Sequence, residues 1–120
     1  MIKSLAFALI SFVPLNASAD TVLLMAEEAG CYWCAKWNEE IAPIYPKTAE
    51  GRAAVLQRYD LHNDSPDVAF ARPVHFTPTF ILVEEGVEVG RIEGYPGEDF
   101  FWGLLGMMLE RAGIPLEQES

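Results

Sequence analysis

Positive charge is scarce in this sequence. Eight Lys and Arg stand against eighteen Asp and Glu, for a formal net charge of −10. Such an excess disfavours nucleic acid and anionic membranes as partners, because both repel it. A basic protein partner stays open beside the plainer reading, solubility. Histidine is as scarce: only His62 and His75 could complete a zinc site with the two cysteines, and their separation matches no zinc-finger spacing. Repeats, low-complexity tracts and linkers are absent. At 120 residues the chain holds one domain at most, and its hydrophobic content of 51% argues against disorder.

No apolar stretch at the start is long enough to cross a bilayer. The run Leu5–Leu15 spans about eleven residues, the length of a signal-peptide core. Lys3 precedes it, and Ala17-Ser18-Ala19 follows with the small-x-small pattern of a cleavage site. The expected organisation is a signal peptide over 1–19 and one domain over 20–120, cleaved before Asp20. Export to an oxidising compartment makes a disulfide permissible.

The periodicity of the remainder predicts a mixed α/β fold. Thr21–Ala26 (TVLLMA) is a continuous apolar run, suited to a strand covered on both faces. A helix is expected from about Cys31, carrying Trp33, Cys34, Trp37 and Ile41, until Pro43 and Pro46 kink or end it. Residues 53–61 read as a second strand, and the stretch from His62 to Phe76 has room for a short helix. Thr79–Glu84 and Val87–Glu93 form a hairpin around Glu85-Gly86. A last helix runs from about Glu98 to Ala112 with Phe101, Leu104, Leu105, Met108 and Leu109 at helical spacing. The adjacent Phe100 and Trp102 are assigned with Phe101 mostly to that helix's buried face. The order β-α-β-(α)-β-β-α describes a mixed sheet with helices on both faces.

Both cysteines fall in GCYWCAKW, residues 30–37. A C-x-x-C at a strand-to-helix junction is a redox motif, because the first helical turn offers unpaired N–H groups and the positive dipole end. That field favours a thiolate on the cysteine nearest the helix start. Cys31 is then the exposed nucleophile, and Cys34, one turn further in, resolves the mixed disulfide. An inert structural disulfide, or a copper- or zinc-chaperone module using the C-x-x-C and a histidine, stays open on this evidence.

Thr77-Pro78 stands directly ahead of the third strand, where a proline is tolerated. With the C-x-x-C upstream and the hairpin and helix downstream, the chain resembles the thioredoxin superfamily. The resemblance implies a cis bond before Pro78, pairing of the Thr77 backbone with a substrate segment near Cys31, and a third loop at Gly94-Tyr95. It implies a compact four-stranded thioredoxin-like sheet flanked by helices, without the N-terminal strand and helix of full-length thioredoxins. The stretches 30–51, 75–80 and 90–105 are more narrowly similar to the small periplasmic thioredoxins of bacterial sulfur-oxidation (Sox) systems. That likeness implies a monomeric periplasmic reductant of a disulfide or S-blocked cysteine, with no cofactor beyond the Cys31–Cys34 disulfide. Its implied partner is the sulfur-carrier Sox protein, and its implied electron donor a membrane thiol transporter.

The sequence departs from the family in two ways. Tyr32-Trp33 stands where thioredoxins have Gly-Pro, with neither a stiffening proline nor a thiolate-stabilising histidine. That favours a reductant over a disulfide-forming oxidase or isomerase. The exposed pair Tyr32 and Trp33 is expected to bind substrate with Thr77 and Pro78, whereas Trp37 reads as core. The buried carboxylate that thioredoxins carry six residues before the nucleophile is Met25 here, so Glu27 or Glu28 is left as a substitute or as a solvated charge. Lys36 reads as a surface residue. His75 reads as a structural histidine, or as a group near the thiols.

Overall fold

The computed structural model describes residues 21–117; the expected signal peptide and its cleavage point before Asp20 lie outside them. Strand β1 (Thr21–Glu27) is followed by helix α1 (Tyr32–Glu40), a 3₁₀ turn (Tyr45–Lys47) and helix α2 (Ala49–Ala53). Strands β2 (Val55–Asp60), β3 (Thr79–Glu84) and β4 (Val87–Glu93) and helix α3 (Glu98–Arg111) complete the chain. The sheet order is β2-β1-β3-β4, with β1 parallel to β2 and antiparallel to β3, and β3 antiparallel to β4. The continuous apolar runs TVLLMA and TFILVE are thus the two central strands, where both faces are covered. The hairpin turns through Glu85 (φ 49°) and Gly86 (φ 80°), a two-residue left-handed connection that matches the twist of its strands.

Two hydrophobic layers lie on the sheet. On one face Leu23, Met25, Phe80 and Leu82 meet Trp37 and Ile41 at the first helix and Phe101, Leu105 and Leu109 of α3. Gly90 lets α3 approach closely, since a Cβ there would fall 2.7 Å from the Met108 Cγ. On the other face Leu24, Ala26, Tyr59, Ile81 and Val83 are covered by Val68, Phe70 and Val74. Helices on both faces were expected; instead α1 and α3 share one face, and the irregular segment 61–76 roofs the other. No helix forms there; a turn follows β2 instead. The Asp60 carboxylate accepts from the N–H of His62 (2.8 Å) and Asn63 (3.1 Å), while Asp64 accepts from the Asp60 N–H at 2.7 Å.

Smaller corrections have similar causes. The expected strand over 53–61 starts later, because Thr48 caps α2 through its side chain and Ala53 ends that short helix. Phe100, assigned to the buried face of α3, is 70% exposed, and Leu104, one of the residues at helical spacing, is 40% exposed. They fall on the outer side, while Phe101, Leu105, Met108 and Leu109 face inward.

Arg91 ties the irregular roof to the sheet. Its guanidinium donates to both Glu88 carboxylate oxygens (2.6 and 2.7 Å) and to the carbonyls of Arg72 (2.7 Å) and Pro73 (3.2 Å). Glu88 also accepts from the Ala71 N–H at 2.9 Å. Burial alone would raise the Glu88 carboxyl, but Arg91 and the Ala71 N–H outweigh it and hold it below the usual carboxylate range. A depressed pKa means this contribution is present at neutral pH and is lost as pH falls through the folded-state value. With both side chains almost fully buried, Arg91→Ala strands the Glu88 charge. It is expected to cost about 3 kcal/mol in denaturant unfolding at pH 7. A loss indistinguishable from that of an exposed surface arginine would contradict this account of the roof.

Candidate active site

Three chain segments meet at one end of the sheet because of strand direction. Strand β1 runs toward Glu27, and parallel β2 ends beside it with Glu27 opposite Asp60. Antiparallel β3 begins at the same end, with Thr79 opposite Ala26. The turn after β1 closes as the Cys31 N–H donates to the Glu28 carbonyl at 3.3 Å. Cys31 is then the N-cap of α1, with its Sγ accepting from the Cys34 N–H at 3.1 Å. Cys31 and Cys34 form a disulfide with Cα atoms 5.2 Å apart. Cys34 is 4% exposed and packs into the aromatic core, whereas Cys31 is half-buried at its margin.

An open cleft runs along this end, lined by Glu27 to Tyr32, Cys34, Ala35 and Asn38 on one side and by Arg58, Tyr59, Asp60 and Asp64 on the other. The expected residues Cys31, Cys34 and Tyr32 thus share a wall with both candidate carboxylates. Trp33, Thr77 and Pro78 do not line it. Tyr32 and Trp33 point outward, 67% and 53% exposed, with their rings edge-to-face at 4.9 Å. The Thr77–Pro78 peptide is cis, and the buried Pro78 carbonyl accepts from the Gly94 N–H at 2.7 Å. The third loop is tied to α1 as well, through the Tyr95 hydroxyl, which donates to Glu40 at 2.9 Å. Burial, then the Glu40 carboxylate, hold the Tyr95 phenol above its ordinary range.

Neither candidate carboxylate is a bare solvated charge. Glu27 accepts from Arg58 (2.6 Å) and from the Asn38 amide (3.1 Å), and Arg58 also donates to the Asn38 carbonyl oxygen at 2.7 Å. The same guanidinium lies 3.7 Å from the sulfur of fully buried Met25 and 5.7 Å from the Trp37 ring centroid. Glu28 accepts from the Thr77 hydroxyl at 2.6 Å and contacts His62 Nε2 through its other oxygen. Those two bonds, Thr77's first, hold its carboxyl below the usual range against burial and Asp60, which act the other way. His75 is exposed, and Lys36 is partly so. Among the described residues no cluster of three His, Cys, Asp or Glu groups is placed to hold a metal ion.

Arg58, Asn38, Asp60 and Asp64 were not anticipated as site residues. In sequence they are unremarkable polar positions on a strand, a helix and a loop. The parallel pairing of Met25 with Arg58 and Glu27 with Asp60 brings the β2 end into the cleft. The available cue was the general placement of sites at the carboxyl ends of parallel strands.

No family model matches the chain, and no curated protein does. Among solved structures, the periplasmic thioredoxin SoxS from Paracoccus pantotrophus, in its reduced form, aligns with a TM-score of 0.75 and 54% sequence identity. The alignment covers 77% of this chain and 98% of that one.

The two tryptophans of the α1 region separate surface from core. Trp37 is fully buried against Tyr45, Phe80 and Phe101. Trp37→Ala is expected to cost about 4 kcal/mol in denaturant unfolding. Trp33→Ala, at an exposed position, is expected to stay within about 0.5 kcal/mol of wild type. Comparable losses at the two positions would refute this division.

Proposed function

The chain belongs to the thioredoxin superfamily and is a thiol–disulfide oxidoreductase, and from that premise we propose that it reduces a disulfide or S-blocked cysteine on an exported partner protein. Cys31 is the nucleophile. Its thiolate attacks the partner's sulfur, forming a mixed disulfide and releasing the partner's other sulfur as a thiolate or, for an S-blocked cysteine, displacing the cysteine thiolate or the blocking group. Cys34 then loses its proton and attacks Cys31, which frees the remaining partner sulfur and leaves the oxidised 31–34 bond. Two electrons pass from the dithiol to the partner, and a membrane thiol transporter is the proposed source that restores them.

The observation that carries this reading is the asymmetry of the two sulfurs. Cys31 caps α1 at the cleft, while Cys34 is buried one turn inside. The first turn of α1 holds no acidic side chain to oppose a thiolate at its positive end. Thr77 and Pro78 form the proposed substrate-pairing wall, and Tyr32 and Trp33 the proposed docking surface. The absence of a thiolate-stabilising histidine between the cysteines favours reduction. The export pattern over 1–19 and the periplasmic relative support a periplasmic site of action. The stretches that resemble sulfur-oxidation thioredoxins favour the sulfur-carrier protein of that pathway as partner.

Two measurements test the proposal. Equilibration of the 31–34 disulfide with a glutathione or dithiothreitol couple is expected to give a potential near about −270 mV, as for a reductant. A value near about −120 mV would identify an oxidant and overturn the direction of transfer. Cys34→Ser is expected to accumulate a mixed disulfide at Cys31 with the sulfur-carrier protein, identifiable by mass. Trapping through Cys34 in a Cys31→Ser variant would reverse the assigned roles.

A further inference from the structure

The register of the two central strands continues past their ends as a side-chain contact. It sets Ala26 opposite Thr79. Carried two residues further along each strand, the same register sets Glu28 opposite Thr77. There the ladder has stopped, and the Thr77 hydroxyl instead donates to the Glu28 carboxylate at 2.6 Å. The backbone of Glu28 meanwhile accepts from the Cys31 N–H at 3.3 Å. Its second carboxylate oxygen contacts His62, on the segment after β2. One residue therefore bonds to the loop bearing Cys31, to the residue before Pro78 and to the segment after β2.

We propose that Glu28 is a positioning residue for substrate docking, its carboxylate fixing Thr77 relative to Cys31 so that a partner segment pairs in one register. The inference rests on the reading of Thr77 as the substrate-pairing residue. Thr77 sits in a loop rather than in the sheet, and the segment 71–76 before it is largely exposed. A threonine side chain held by a carboxylate has one rotamer selected, and the adjoining peptide is held with it. The ordering cost of that loop is then met before the partner arrives, which lowers the cost of binding. Glu28 transfers no proton and forms no bond to substrate in this role. Its effect belongs in KM rather than in kcat.

The test is a two-residue cycle on the full exported chain, read as KM and kcat for insulin disulfides with dithiothreitol as electron source. Thr77→Val removes the hydroxyl and keeps the branched shape. Glu28→Ala removes the carboxylate. Each is expected to raise KM about fivefold, with kcat held within about twofold. The double variant is expected to rise no further than either single one, because both delete the same bond. Should Glu28→Ala fail to fold, Glu28→Asp, which withdraws the carboxylate by one methylene, replaces it in the cycle. An unchanged KM in Thr77→Val, effects that multiply in the double variant, or losses confined to kcat would each overturn the proposal. Alkylation of the reduced wild-type protein, mapped by mass, keeps the two readings apart. Labelling at Cys31 with a failed cycle removes only the role of Glu28, whereas labelling at Cys34 alone removes the assigned nucleophile and the positioning role together.

Discussion

The site depends on one constraint, the antiparallel pairing of β1 with β3. Because these strands run in opposite directions, the end of one and the start of the other lie side by side, with Ala26 opposite Thr79. The turn that leads into Cys31 and the loop that contains Pro78 are about fifty residues apart in sequence yet share one edge of the sheet. Parallel pairing of β1 with β2 brings a third segment to the same edge. None of this needs a contact between the loops themselves. Burial of the two central strands on both faces fixes the register, since a slip of one residue would exchange the layers led by Leu23 and Met25 with those led by Leu24 and Ala26.

On that edge the chemistry is organised by differences in burial. Cys34 packs with Trp37 in the aromatic layer, while Cys31 faces the cleft. Met25, in the same core cluster as Cys34, is apolar, and the Arg58–Glu27–Asn38 network lies at the cleft wall. An ion pair in which each partner is partly exposed is only weakly stabilising. Its consequence is local, because it keeps Glu27 engaged and leaves Arg58 spread over the Trp37 ring.

Some of this was legible in the residues alone. The hairpin β3–β4 matches its expected bounds because a continuous run, a left-handed two-residue turn and a following strand each carry their own local pattern. Helix α1 and the C-x-x-C at its start were equally plain. The roof over the second face was not, because its order comes from side chains bonding to distant backbone: Arg91 to the carbonyls of Arg72 and Pro73, Glu88 to the Ala71 N–H. An arginine on an edge strand carries no sign of such a role. Arg58 was hidden for a related reason, since only the β1–β2 register shows that it faces Met25. Phe100 was misplaced by one position, which is the margin between the inner and outer sides of a helix turning 3.6 residues at a time.

The outward aromatics follow from the same geometry. Between two cysteines one helical turn apart, only the side away from the core remains for Tyr32 and Trp33, and both take it. Phe76, on the loop before Thr77, is also exposed, at 61%. A protein with a large negative charge discourages indiscriminate association through such a surface, because another acidic chain is repelled before it makes apolar contact. The cleft beside the disulfide is itself acidic, with Glu28, Asp60 and Asp64 on its walls and Arg58 already paired. On the proposal that Tyr32 and Trp33 dock the partner, apolar contact supplies affinity near the sulfurs, while the field selects what reaches them. A partner segment that is apolar at its reactive cysteine and neutral or basic beside it satisfies both conditions.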